Sequence, residues 1–162
     1  MARVYLGIGS NIDPEKNLRL GIRELRRNFG EMELSAVYAS AAVGFEGADF
    51  LNMVVGLHSD DSPRAIQDQV GSIHDLAGRV REAGKISSRP LDIDLLLYGD
   101  RVTDEPGLKL PRSDVLEFSF VLRPLAELSP GLIHPQTGKT MTQHWQAFDA
   151  RRHPLRLVDV IL

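Results

Sequence analysis

Apolar positions fall into short runs of two distinct periods. Val4, Leu6 and Ile8 alternate with Tyr5 and Gly7, the two-residue period of a strand, and the run ends in the turn signal Gly9-Ser10-Asn11. Asp13-Pro14 opens a helix as a cap followed by proline in the first turn. Its core face is Leu18, Ile22, Leu25 and Phe29, and Gly30 stops it. Alternation returns from Met32 to Tyr38 and, after a glycine-punctuated loop, from Phe50 to His58. Ser62-Pro63 caps a second helix with Ile66, Val70, Ile73 and Ala77 on one stripe, and Leu91 to Tyr98 is a further strand closed by Gly99-Asp100. The order β-α-β-β-α-β predicts an α+β, ferredoxin-like fold, an antiparallel sheet with helices packed on one face. Leu116 to Leu128 adds a short helix and Leu155 to Leu162 a last strand.

Composition narrows the class. At 162 residues the chain suits one domain, 1–162, and its 43% apolar and 25% charged residues are those of a globular protein. A formal net charge of −3 gives no electrostatic case for nucleic acid or anionic membrane. The absence of Cys removes disulfides, thiolate metal sites and Cys nucleophiles, and fits a cytoplasmic setting. The start, MARVYLGIGSN, lacks a signal-peptide pattern, and no window reaches the roughly 18 apolar residues of a membrane span. A cytoplasmic monomer is expected.

Three stretches carry candidate chemistry. In Arg89-Pro90-Leu91-Asp92-Ile93-Asp94-Leu95, the leucines and isoleucine face one way and Asp92 and Asp94 the other. Two carboxylates at this spacing are roughly 6.5–7 Å apart at Cα on one strand face. They repel unless a cation lies between them, and Mg²⁺ with bound phosphate would complete such a site. A solvated strand face paired with nearby arginines is the alternative. Arg79, Arg81, Lys85 and Arg89 precede this pair. They suit a triphosphate, through forked guanidinium donors, or simply the C-terminal end of a helix dipole. Phe50 and Asn52 share one strand face, a stacking ring beside an amide, as a planar heterocycle requires; a core ring beside an edge amide is the bland reading. Phe120 could supply a second wall.

The chain resembles the 6-hydroxymethyl-7,8-dihydropterin pyrophosphokinase family over nearly its whole length. The matching stretches are Leu6-Gly7-Ile8-Gly9-Ser10-Asn11, Asp49-Phe50-Leu51-Asn52, Gly78-Arg79-Val80-Arg81, Arg89-Pro90-Leu91-Asp92-Ile93-Asp94 and Phe120-Val121-Leu122-Arg123-Pro124-Leu125. The resemblance implies transfer of diphosphate from ATP to the pterin hydroxymethyl oxygen, by in-line attack on the β-phosphorus with AMP leaving, a step of folate biosynthesis. By the same resemblance Asp92 and Asp94 hold two Mg²⁺ ions. Arg79 and Arg89 contact the phosphates and join the two aspartates in catalysis, and Arg81, Lys85 and Ile93 complete the ATP side. Arg112, a departure from the family, is expected on the ATP side and in catalysis as a replacement cation. Phe50 and Phe120 sandwich the pterin, and Asn52, Ser40, Ala41 and Val43 complete its slot.

Departures cluster on the ATP side. Arg112 stands after Pro111 where the family usually has His, Phe118 where it has Arg, and Ile86-Ser87-Ser88 where it has Trp-Gly-Pro; His74 stands where Glu is common. Either Arg112 replaces the charge missing at Phe118, or the chain is a diverged paralogue that binds a pterin or nucleotide with altered phosphotransfer. An RNA-binding sheet is the rival outside this class. It would show aromatic pairs in basic surroundings, against 6% aromatic residues and a negative net charge here.

Overall fold

Long alternating runs dominate the sheet. The computed structural model describes residues 1–78 and 90–162. Strand β1 (Ala2–Ser10) leads into helix α1 (Pro14–Phe29), followed by β2 (Glu33–Leu34), β3 (Val37–Ser40) and β4 (Phe50–Ser59). Helix α2 (Pro63–Leu76) precedes β5 (Asp92–Tyr98) and a hairpin of β6 (Thr103–Glu105) and β7 (Leu108–Leu110). Helices α3 (Asp114–Glu117), α4 (Ser119–Leu128) and α5 (Met141–Ala147) and the last strand β8 (Arg156–Val158) complete the chain. The main sheet runs β5-β1-β4-β3-β8, with β2 also on β4, and its pairings are antiparallel.

The β-α-β-β-α-β order and the antiparallel sheet are as the alternation predicted. Val4, Leu6, Ile8, Met53 and Ile93 pack with Leu18, Ile22, Leu25, Ile66 and Ile73 of α1 and α2 into one core. The helices do not stop at that face. Tyr5, Val54, Leu96 and Leu97 build a second core with Val121, Leu122 and Leu125 of α4 and Met141 of α5. The sequence predicts a helix at 116–128 without assigning it a face, and it does not predict α5. Tyr38 Oη donates to Glu127 Oε1 at 2.6 Å and Tyr5 Oη meets Ser129 Oγ at 2.7 Å, which ties α4 to the sheet.

Two interruptions come from single extra residues. Between Leu34↔Val55 and Tyr38↔Asn52, the chain of β2 and β3 advances four residues while β4 advances three. Ser35 absorbs the extra one: its N–H donates to Val54 O at 2.9 Å and its Oγ accepts the Val54 N–H at 2.8 Å. The Met32–Tyr38 run is therefore a bulged pair of strands. On β5 the register slips between Tyr5↔Leu97 and Leu6↔Leu95, leaving Leu96 as the extra residue. Leu96 and Leu97 consequently both join the second core. Phe118 is extended (φ −119°, ψ 129°) and divides the expected 116–128 helix into α3 and α4.

Candidate active site

The central strand supplies a floor without side chains. Alternation that buries Leu6 and Ile8 under α1 turns Gly7 and Gly9 to the opposite face. Gly9 pairs with Asn52 on one side and Asp92 on the other; Gly7 pairs with Asp94. A Cβ on Gly9 would stand 3.2 Å from Asn52 Oδ1 and 3.7 Å from Phe50 Cδ1. The glycines thus leave open the space between the aromatic-amide pair of β4 and the acid pair of β5.

A cavity of about 370 Å³ lies on this floor. Phe50, Asn52, Ser40, Ala41, Val43 and Phe120 all line it, together with Asp92, Asp94 and Arg112. The residues expected at the pterin slot and at the metal pair are therefore brought to one cavity. Its walls are ring pairs: Phe45 meets Phe50 edge-on at 6.2 Å, and Phe118 stacks on Phe120 at 4.9 Å and 15°. Asn52 is buried and its Nδ2 donates to Ser40 Oγ at 2.8 Å, so amide and hydroxyl are oriented before any ligand arrives. Asn11 Nδ2 donates to Ala48 O at 3.2 Å and ties the 41–49 loop to the end of β1. Ser10 Oγ donates to Pro90 O and fastens the same end to the entrance of β5.

A second cavity, of about 510 Å³, opens beyond the acid pair between α2, β5 and β7. Gln67, His74, Ile93 and Lys109 line it, and Asp94 and Arg112 line both cavities. The Ile93 side chain belongs to the core, and its N–H donates to His74 Nε2 at 2.8 Å. Arg112 is anchored through its backbone N–H to Leu96 O at 2.9 Å. Its guanidinium lies 3.7 Å from Asp94 Oδ1 and 3.2 Å from Asp114 Oδ2. Burial first, and then the Asp92 carboxylate, push Asp94 up to about 7, with Arg112 opposing them. Two hard oxygen donors whose negative charge is resisted in this way fit a divalent cation. Among the described residues no third carboxylate or imidazole joins them in a ligand cluster. Arg79, Arg81, Lys85 and Arg89 lie outside the described residues.

Sequence reasoning passed over Gly7, Gly9, Phe45 and Asp114. The glycines had a legible signal, since they occupy the outward positions of an otherwise apolar strand. Phe45 and Asp114 had none, because only the fold brings them to the cavity.

The profile of 7,8-dihydro-6-hydroxymethylpterin-pyrophosphokinase matches residues 5–130, most of the chain. The chain belongs to this pyrophosphokinase family. A 2-amino-4-hydroxy-6-hydroxymethyldihydropteridine pyrophosphokinase of Aquifex aeolicus is 37% identical over 137 residues, covering 83% of this chain and 85% of that protein. Its Synechocystis counterpart is 38% identical over 141 residues, covering 85% and 72%. Among solved structures, wild-type HPPK-DHPS of Plasmodium falciparum superposes with a TM-score of 0.74 at 11% identity, over 93% of this chain and 45% of that one. This similarity shows the pyrophosphokinase fold, and the chain spans less than half of the Plasmodium protein. No helix among the described residues is long and apolar enough to cross a membrane.

Proposed function

We propose that the chain, as one domain over 1–162, transfers diphosphate from ATP to the hydroxymethyl oxygen of 6-hydroxymethyl-7,8-dihydropterin, releasing AMP. The observation that carries this reading is that two cavities meet at Asp94 and Arg112. One has aromatic walls, an oriented amide and a side-chain-free floor, which suits a flat heterocycle; the other is lined by polar groups of α2 and β7, which suits a nucleotide. Family membership and the names of the Aquifex and Synechocystis relatives support the same reaction.

In this mechanism Phe50 and Phe120 hold the pterin between them, and Asn52 and Ser40 fix its edge. Its hydroxymethyl oxygen then faces the acid pair. The nucleotide lies in the second cavity against Ile93, with its phosphates reaching Arg112 at the junction. Arg79, Arg81, Lys85 and Arg89 supply further phosphate contacts. Asp92 and Asp94 would hold Mg²⁺, two ions in all, which when bound neutralises phosphate charge and polarises the attacking oxygen. The remaining work is alignment of that oxygen with the β-phosphorus and exclusion of water, for which no covalent intermediate is needed.

A coupled assay for AMP with the hydroxymethylpterin as acceptor tests the reaction directly. Pterin-dependent AMP and a diphosphorylated pterin are expected. ATP binding without acceptor-dependent AMP would favour the diverged paralogue.

A further inference from the structure

Arg112 is shared between two carboxylates and well paired with neither. Its Nε sits 3.2 Å from Asp114 Oδ2 yet makes no aligned hydrogen bond and is sealed from solvent. Its terminal nitrogen is 3.7 Å from Asp94 Oδ1, beyond hydrogen-bond reach. The backbone of residue 112 is pinned to β5 while the side chain stays partly exposed. A cation so placed has two docking points, one on the acid pair and one on the first turn of α3.

We propose that Asp114 is a positioning residue that draws the Arg112 guanidinium off Asp94, so that the acid pair can accept a divalent cation with its nucleotide. This rests on the proposed function and deepens it. The guanidinium and a divalent cation compete for the Asp94 carboxylate, since each neutralises the same charge. Asp114 lies only two positions from Arg112 and lines the same cavity. It offers the displaced guanidinium a second carboxylate, so the cation keeps a partner when the metal enters. Arg112 then remains at the junction, where it can meet phosphate oxygens.

The test is calorimetric titration of Mg²⁺ in the presence of α,β-methylene-ATP, together with circular dichroism on each variant. Asp114→Ala is expected to weaken Mg²⁺ binding about fivefold or more, because Arg112 closes on Asp94. Asp114→Asn, which keeps the volume, should do the same, and Asp114→Glu should restore most of the affinity. In an Arg112→Ala background, Asp114→Ala should cost less than about twofold. An equal loss with and without Arg112 would make Asp114 a direct ligand or a bare charge and overturn the proposal. So would unchanged Mg²⁺ binding in folded Asp114→Ala and Asp114→Asn. Loss of this coupling in a protein that still binds Mg²⁺ and forms AMP sinks the positioning role alone. Absence of Mg²⁺-dependent analogue binding in the unsubstituted chain removes the proposed function with it.

Discussion

Asp92→Asn and Asp94→Asn keep volume and strand packing while removing the charge that would hold the metal. Each is expected to lower turnover by about 10³-fold or more with the fold retained. AMP release and circular dichroism check both halves of that statement, and near-full activity in both variants would exclude a metal pair. Asp94 also gives a pH dependence. Its raised pKa means that the folded apo protein keeps a proton that the unfolded chain releases near 3.8. The stability from that proton is complete below 3.8 and is lost as pH rises through about 7. A divalent cation competes with the same proton, so Mg²⁺ affinity should rise with pH through this range and flatten above it. In Asp94→Asn the rise should vanish, which titrations at several pH values would reveal. On the other side of the floor, Phe50→Ala and Phe120→Ala should weaken pterin binding by roughly 0.5–3 kcal/mol and leave nucleotide binding nearly unchanged. Equal damage to both ligands would make these rings core supports.

Elements decide which of these residues could be read from the sequence. Leu91, Ile93 and Leu95 alternate so sharply that the opposite face of β5 had to carry Asp92 and Asp94. The same logic placed Phe50 with Asn52 on β4. The alternation stops informing at Leu96, where one extra residue reverses the faces beyond it, and at Ser35, where a side chain substitutes for a strand partner. Neither bulge has a glycine or proline to mark it. The second helical layer was equally hidden, because Phe118 splits its first segment and the sheet face under α4 is gathered from Tyr5, Val54, Leu96 and Leu97 on three different strands. At the element scale the floor offers the cleanest test. Gly9→Val should remove most pterin affinity while disturbing β1 little, since the new branch meets Asn52 Oδ1 and the Phe50 ring. Retained affinity in a folded Gly9→Val protein would place the pterin elsewhere.

For the whole molecule, the segment after α4 is closed by a histidine clasp. His134 is buried, and its Nδ1 accepts the N–H groups of Gln136 at 3.2 Å and Thr137 at 3.3 Å. Burial first, and then His144, lower its pKa. A lowered histidine pKa favours the neutral folded form, so its contribution to stability is full above the ordinary value near 6.5 and is lost as pH falls below it. Melting temperature should therefore drop on acidification to about pH 5.5, and by less in His134→Gln, which keeps an acceptor without titrating. The two pH effects run in opposite directions and are separated by their own variants.

The bare stretch of β1 constrains how the protein could escape an inhibitor. A flat compound that rests on Gly7 and Gly9 touches main chain, and main-chain atoms do not change with the codon. The first carbon added at Gly9 would approach the Asn52 amide proposed to hold the pterin, so on that proposal a substitution that expels such a compound expels the substrate as well. Resistance would have to arise at the walls, in the 41–45 turn or at Phe118, where side chains can change without filling the floor. Compounds that take most of their contact from the glycine strand should select the fewest viable escape variants.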